Sequence, residues 1–134
     1  MEQQPQTLAQ QFIDALHALE QGSGDGIDSL IALFSDDAQL TNAVLELAGH
    51  ERTGREGAHR FWAEYKSTLG KAFSTFHHIT TGANTTGLFW TTQGHGPDGQ
   101  PVNYHGATLL EFDASGTIKF FRGYYDTREL TVRA

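Results

Sequence analysis

The chain has 134 residues, no cysteine and a formal net charge of −7 at neutral pH. That length can bury a core without covalent staples, and the missing thiols exclude disulfides, sulfur nucleophiles and Cys-based zinc sites. Nine Lys and Arg face sixteen Asp and Glu, and the basic residues are scattered singly, so neither nucleic acid nor an anionic membrane surface is an expected partner.

The opening, MEQQPQTLAQQF, has neither a basic stretch nor an apolar run, and no later run is long enough to span a bilayer; a cytoplasmic location is the expectation. A first amphipathic helix begins at Thr7, whose hydroxyl caps it while Gln10 reaches back, and it carries Leu8, Phe12, Leu16 and Leu19 on one face. QGSGDG (21–26) breaks it. Ile27, Leu30, Ile31 and Phe34 mark a second, short helix that ends before Ser35-Asp36-Asp37. Two short strands are expected at Gln39 to Asn42 and Leu45 to Ala48. Gly54 then opens a third helix, with Ala58, Phe61, Trp62, Tyr65 and Leu69 on one side and Gly70 as its stop. Four strands in a meander follow at 73–82, 87–95, 101–112 and 118–126, separated by GANTTG, GPDGQ and DASGT. Gly94, Gly106 and Gly123 are candidates for bends or bulges. With no repeat or linker in between, residues 1–134 read as a single α+β domain.

Several segments resemble one superfamily, the nuclear transport factor 2-like proteins. LFSDDAQLTN (33–42) resembles the passage from second helix to first strand in ketosteroid isomerases and SnoaL-like polyketide cyclases, and GREGAHRFW (54–62) the entry to their third helix. IKFFRGYYDTREL (118–130) resembles the closing strand of limonene epoxide hydrolase. The resemblance implies a cone-shaped, curved antiparallel sheet wrapped around three helices and enclosing a pocket. It also implies that two known chemistries are broken here. Where ketosteroid isomerase has its carboxylate base and its two oxyanion donors, this chain has Asn42, Phe12 and Thr108. Where limonene epoxide hydrolase has its Asp–Arg–Asp arrangement, this chain has His95, Gln93 and Gly123, although Asn42 matches an Asn that helps to hold water there. TFHHI (75–79) resembles the strand of scytalone dehydratase that carries a histidine, with His77 at the matching place.

Side chains alternate across a strand, and turn lengths fix which residues stand opposite. A turn centred near Asn84–Thr85 sets Thr75 against His95. A four-residue loop at Pro97 to Gln100 sets Gln93 against Tyr104, and a similar loop at Ala114 to Thr117 sets Thr108 against Gly123 and Gly106 against Tyr125. One face then carries His77, Ile79, Phe89, Thr91, Gln93, His95, Tyr104, Thr108, Leu110, Phe121 and Tyr125.

An imidazole on an apolar wall exchanges protons near neutral pH. The expectation is therefore a pocket for a small apolar or hydroxylated molecule, with His77 as general base of a cofactor-independent dehydratase, isomerase or cyclase and His95 beside it. Asn42, Phe12, Trp62, Gln93, Tyr104, Thr108, Phe121 and Tyr125 would line the ligand. The alternative is a non-catalytic ligand-binding or assembly module in which these groups satisfy one another. No cofactor is expected, and no metal, because two histidines without a third ligand leave a zinc sphere incomplete. His78 and His105 are assigned to the opposite face, His17 and His59 to helices, and His50 to the pocket mouth. The outer sheet face, with Phe76, His78, Trp90, His105, Leu109 and Phe120, offers a homodimer surface.

Overall fold

A computed structural model describes residues 5–22, 26–49, 51–96 and 98–126; His50 lies outside them. In chain order the elements are α1 (Pro5–Gln21), α2 (Gly26–Ile31), β1 (Phe34–Asn42), α3 (Ala43–Ala48), β2 (Arg52–Thr53), α4 (Gly54–Leu69), β3 (Lys71–Thr81), β4 (Thr85–His95), β5 (Pro101–Phe112) and β6 (Ile118–Tyr125). The six strands form one curved sheet in the order β2-β1-β6-β5-β4-β3, with β1 and β6 parallel and the other neighbours antiparallel. The helices fill its hollow, α1 against β3 and α4 against β1. The architecture is thus the expected α+β cone.

Local chemistry explains two departures from the sequence expectation. Phe34 begins β1 instead of ending α2, because the second helix stops at Ile31 and a turn returns Leu33 to accept a hydrogen bond from Ile118 at 2.8 Å. Residues 43–48 form a helix, not a strand. Asn42 caps it by accepting from the Leu45 amide at 2.9 Å, and Gly49 closes it in the left-handed region at φ 72°. Five of the six residues between them, AVLELA, are strong helix formers.

The candidate bend glycines do something else. The register shifts fall between Phe34 and Gln39, Phe76 and His78, and Glu111 and Phe112. At Gly94 and Gly106 the chain is instead crowded: an added Cβ would lie 2.3 Å from the Lys71 carbonyl oxygen or 2.1 Å from that of Tyr124. Each glycine admits a neighbouring backbone where a side chain cannot fit. The β5–β6 turn is tied by Asp113, whose carboxylate accepts from Ser115 and Thr117. The Thr117 hydrogen bond first of all holds that carboxyl below its usual range.

Candidate functional site

The buried apolar side chains form one cluster between helices and sheet, and Trp62 of α4 is its hub. Five rings stand around the Trp62 indole, those of Phe12, Phe34, Phe61, Tyr65 and Phe121, with centroids 4.9–6.4 Å away and tilted or edge-on geometry. Beside this cluster is a cavity of about 50 Å³. Its wall combines Phe12 and Leu16 of α1, Phe61, Trp62 and Tyr65 of α4, Asn42 at the end of β1, and inward residues of β3 to β6. A larger hollow of about 720 Å³ lies at the other end of β4 and β5, among the turns. It is lined largely by loop residues, whereas the smaller cavity has buried polar groups in its wall.

Those groups fall into two sets. The first is fully partnered. Glu20, at the end of α1, is 1% exposed. Its carboxylate accepts from the Ser74 amide at 2.9 Å and from the hydroxyls of Ser74 and Tyr65, both at 2.5 Å. The Ser74 hydroxyl lies 2.6 Å from that of Thr92. Burial, first of all, raises the Tyr65 and Tyr104 phenols well above their ordinary pKa, so both stay protonated at neutral pH. Trp90 likewise donates its indole N–H to the Thr108 hydroxyl at 2.9 Å. The second set is two donors, the indole N–H of Trp62 and the phenol of Tyr125; both are buried and neither has a hydrogen-bond partner among the described residues.

Of the eight residues expected around a ligand, Phe12, Asn42, Trp62, Tyr104, Thr108, Phe121 and Tyr125 line this cavity, and Gln93 does not. The two histidines expected to act on substrate are also absent from its wall. His77 is exposed and hydrogen-bonds to Thr91 at 2.8 Å on the far face of the sheet, and His95 is exposed opposite Lys71. Because Thr91 and His95 are four residues apart on one strand, the rings stand roughly 13 Å apart. They do not meet.

Two registers differ from the expectation. Thr75 pairs with Thr91 and His95 with Lys71, four residues from the expected pairing of Thr75 with His95, and this parts the rings along the sheet; one extra residue in the β4–β5 loop turns both of them outward. The β4–β5 connection spans 96–100, so His95 pairs with Pro101 and Gln93 with Asn103, where a four-residue loop would have set Gln93 against Tyr104. The extra residue is accommodated by Gly99 at φ 84° and by a hydrogen bond from the Gly96 amide to the Gln100 carbonyl. A one-residue slip turns every side chain of β4 over, and β3 with it. Leu88, Trp90 and Thr92 therefore face inward, and Phe89, Thr91, Gln93 and His95 outward. Phe76 and Trp90, expected on the outer face, line the cavity instead. Ile79, expected inside, is 39% exposed beyond the β3 bulge. The β5–β6 register, with Thr108 opposite Gly123 and Gly106 opposite Tyr125, is as expected.

Glu20 and its partners were not expected at the site. The signal for Glu20 was in the sequence: it continues the stripe Leu8, Phe12, Leu16 at the next four-residue step, a charged group on an apolar face. Asn42 has a structural duty as the cap of α3. Among the described residues, no group of three or more His, Asp or Glu is placed to hold a metal ion, and no helix is long and apolar enough to cross a membrane.

Residues 9–121 match the family model of the SnoaL-like domain. No curated protein matches the chain. Among solved structures, a nuclear transport factor 2-like protein of unknown function from Burkholderia pseudomallei K96243 superposes with a TM-score of 0.79 at 12% identity, covering 97% of this chain and 98% of that one. A hypothetical protein from Catenulispora acidiphila DSM 44928 with a ketosteroid isomerase-like fold, in complex with trimethylamine, gives 0.73 at 20% identity, covering 89% and 88%. SalBIII, an epoxide hydrolase/cyclase-like enzyme of pyran ring formation in the polyether salinomycin, gives 0.75 at 10% identity, covering 93% and 92%.

Proposed function

Because the chain belongs to the SnoaL-like domain family, we propose that it acts through this aromatic cavity, as a binding domain for a small, mostly apolar molecule that carries a hydrogen-bond acceptor. The observation that carries the reading is the pair of buried donors, Trp62 N–H and Tyr125 O–H, on the wall of one cavity without a partner. A buried unmet donor costs about 1–3 kcal/mol, and an oxygen on a bound molecule would recover it. Size narrows the class. A cavity of ~150 Å³ takes benzene, so a space of about 50 Å³ suits a ligand of a few heavy atoms and falls far short of a steroid. The complex of the Catenulispora protein with trimethylamine, another molecule of few heavy atoms, favours the same size class. Binding is preferred to a cofactor-independent dehydratase, isomerase or cyclase because the histidine assigned as base stands outside the cavity.

Acetone tests the reading. Titrated into the ¹⁵N-labelled protein, it is expected to shift the Trp62 indole N–H signal with saturation in the millimolar range. Tyr125→Phe should weaken binding about five- to tenfold, the worth of about 1 kcal/mol of hydrogen bond. An unmoved indole signal would remove the cavity as a ligand site.

The same reading includes a cytoplasmic homodimer formed through the outer sheet face. Its apolar residues are Phe73, Phe89 and Tyr124, exposed by 48%, 44% and 43%, a neighbouring set to the one expected from the sequence. Light scattering on the purified chain should give twice the monomer mass at micromolar concentration; a monomer there excludes this surface as a stable interface.

A further inference from the structure

The carboxylate of Glu20 accepts hydrogen bonds and has no hydrogen to give, which sets the direction of everything attached to it. Ser74 spends its only hydroxyl hydrogen on Glu20, so in the 2.6 Å contact between Ser74 and Thr92 it is Thr92 that donates. Tyr65 also donates to Glu20. Tyr65 and Thr92 both line the cavity. With their hydrogens drawn toward Glu20, what they turn to the cavity is oxygen lone pairs. Trp62 and Tyr125, by contrast, line the same cavity and carry unspent donors.

We propose that Glu20 determines the specificity of this cavity by polarising the hydroxyl chain, so that the site selects a small molecule bearing an O–H group over one of the same shape that only accepts. The inference rests on the ligand-binding reading above and names its ligand class, short-chain alcohols. A ligand hydroxyl accepts from Trp62 or Tyr125 and donates to the lone pairs opposite. A ketone does only the first. Glu20 touches no ligand; it acts as a positioning residue through Ser74 and Tyr65.

Propan-2-ol and acetone have the same heavy-atom skeleton and differ in that one hydrogen-bond donor. Titrations read at the Trp62 indole signal are expected to show propan-2-ol binding at least fivefold more tightly than acetone. In Glu20→Gln the amide still accepts from the Ser74 N–H, but its nitrogen now presents hydrogens where the Ser74 and Tyr65 hydroxyls pointed. Those hydroxyls must turn, the chain reverses, and the ratio should fall to one or below. Thr92→Val, which keeps the side-chain shape but removes the hydroxyl that Ser74 orients, should reduce the ratio to below two and serves if Glu20→Gln does not fold. A purely structural Glu20 would lower the melting temperature and leave the ratio alone. Equal affinities in the native protein, or a ratio unchanged in the variants, overturn the inference while leaving ligand binding intact. No shift with either probe overturns both.

Discussion

Trp62→Ala should cost about 4 kcal/mol of folding stability, within the range of 3–5 kcal/mol found for large buried aromatics. The indole is 2% exposed, and five aromatic side chains from α1, β1, α4 and β6 pack on it. Its removal takes away the transfer energy of the ring and several ring–ring contacts worth about 0.5–1.5 kcal/mol each. It also leaves a void that α4 cannot close, because Phe61 and Tyr65 are already held against other partners. Urea denaturation followed by far-ultraviolet circular dichroism would measure the loss. A cost under about 1.5 kcal/mol would mean that neighbouring rings collapse into the space, and that the hub is not what fixes the cavity. Because Trp62 also supplies one of the two unpartnered donors, Trp62→Phe separates the roles: it should keep most of the stability and lose affinity for acetone.

Glu20→Ala should be nearly as damaging for a different reason. The substitution removes little apolar surface. It strands three donors, the Ser74 amide and the hydroxyls of Ser74 and Tyr65, at a site that water does not reach. At about 1–3 kcal/mol for each unmet group, partly recovered as the hydroxyls find other acceptors, the expected loss is about 3 kcal/mol. For a chain of this length that corresponds to a fall in melting temperature of roughly 10–15 °C. The link also joins distant parts of the sequence, α1 to β3 and α4, so the loss should appear as earlier loosening of the first helix in amide exchange. If the melting temperature falls by less than about 3 °C, the acid is better hydrated than its burial implies.

The fold was legible because it depends on patterns that tolerate small errors. Leu8, Phe12 and Leu16 mark a helix wherever its ends fall, and the strands at 101–112 and 118–125 declare themselves by turn residues on either side. The site was not legible to the same depth, since face assignment has no such tolerance. The β5–β6 loop, 113–117, is also one residue longer than expected, but the register shift between Glu111 and Phe112 offsets it and keeps Tyr104, Thr108, Phe121 and Tyr125 on the inner wall. The β4–β5 loop was misjudged by one residue, and that error carried His77 and His95 outside together. The composition of β4 held a correction, because Leu88 and Trp90 share one parity with Thr92 while Gln93 and His95 share the other. Weighing apolar bulk against loop length would have turned the strand the right way. Nothing in the spacing of Ser74 and Tyr65 announces that they meet at Glu20. That contact is made by tertiary packing of α1 on β3.

The parallel pairing of β1 with β6 bears on how the protein is made. The last strand sits inside the sheet, joining the β2–β1 pair to the β5–β4–β3 meander. Partners such as Leu40 and Phe121 are more than half the chain apart, and contacts between such remote segments slow folding. During synthesis the two parts of the sheet must therefore wait, side by side and unjoined, until residues 118–125 have cleared the ribosome. The half-built sheet exposes the edges of β1 and β5 throughout that interval, and those edges stay open to wrong pairing until β6 fills the gap.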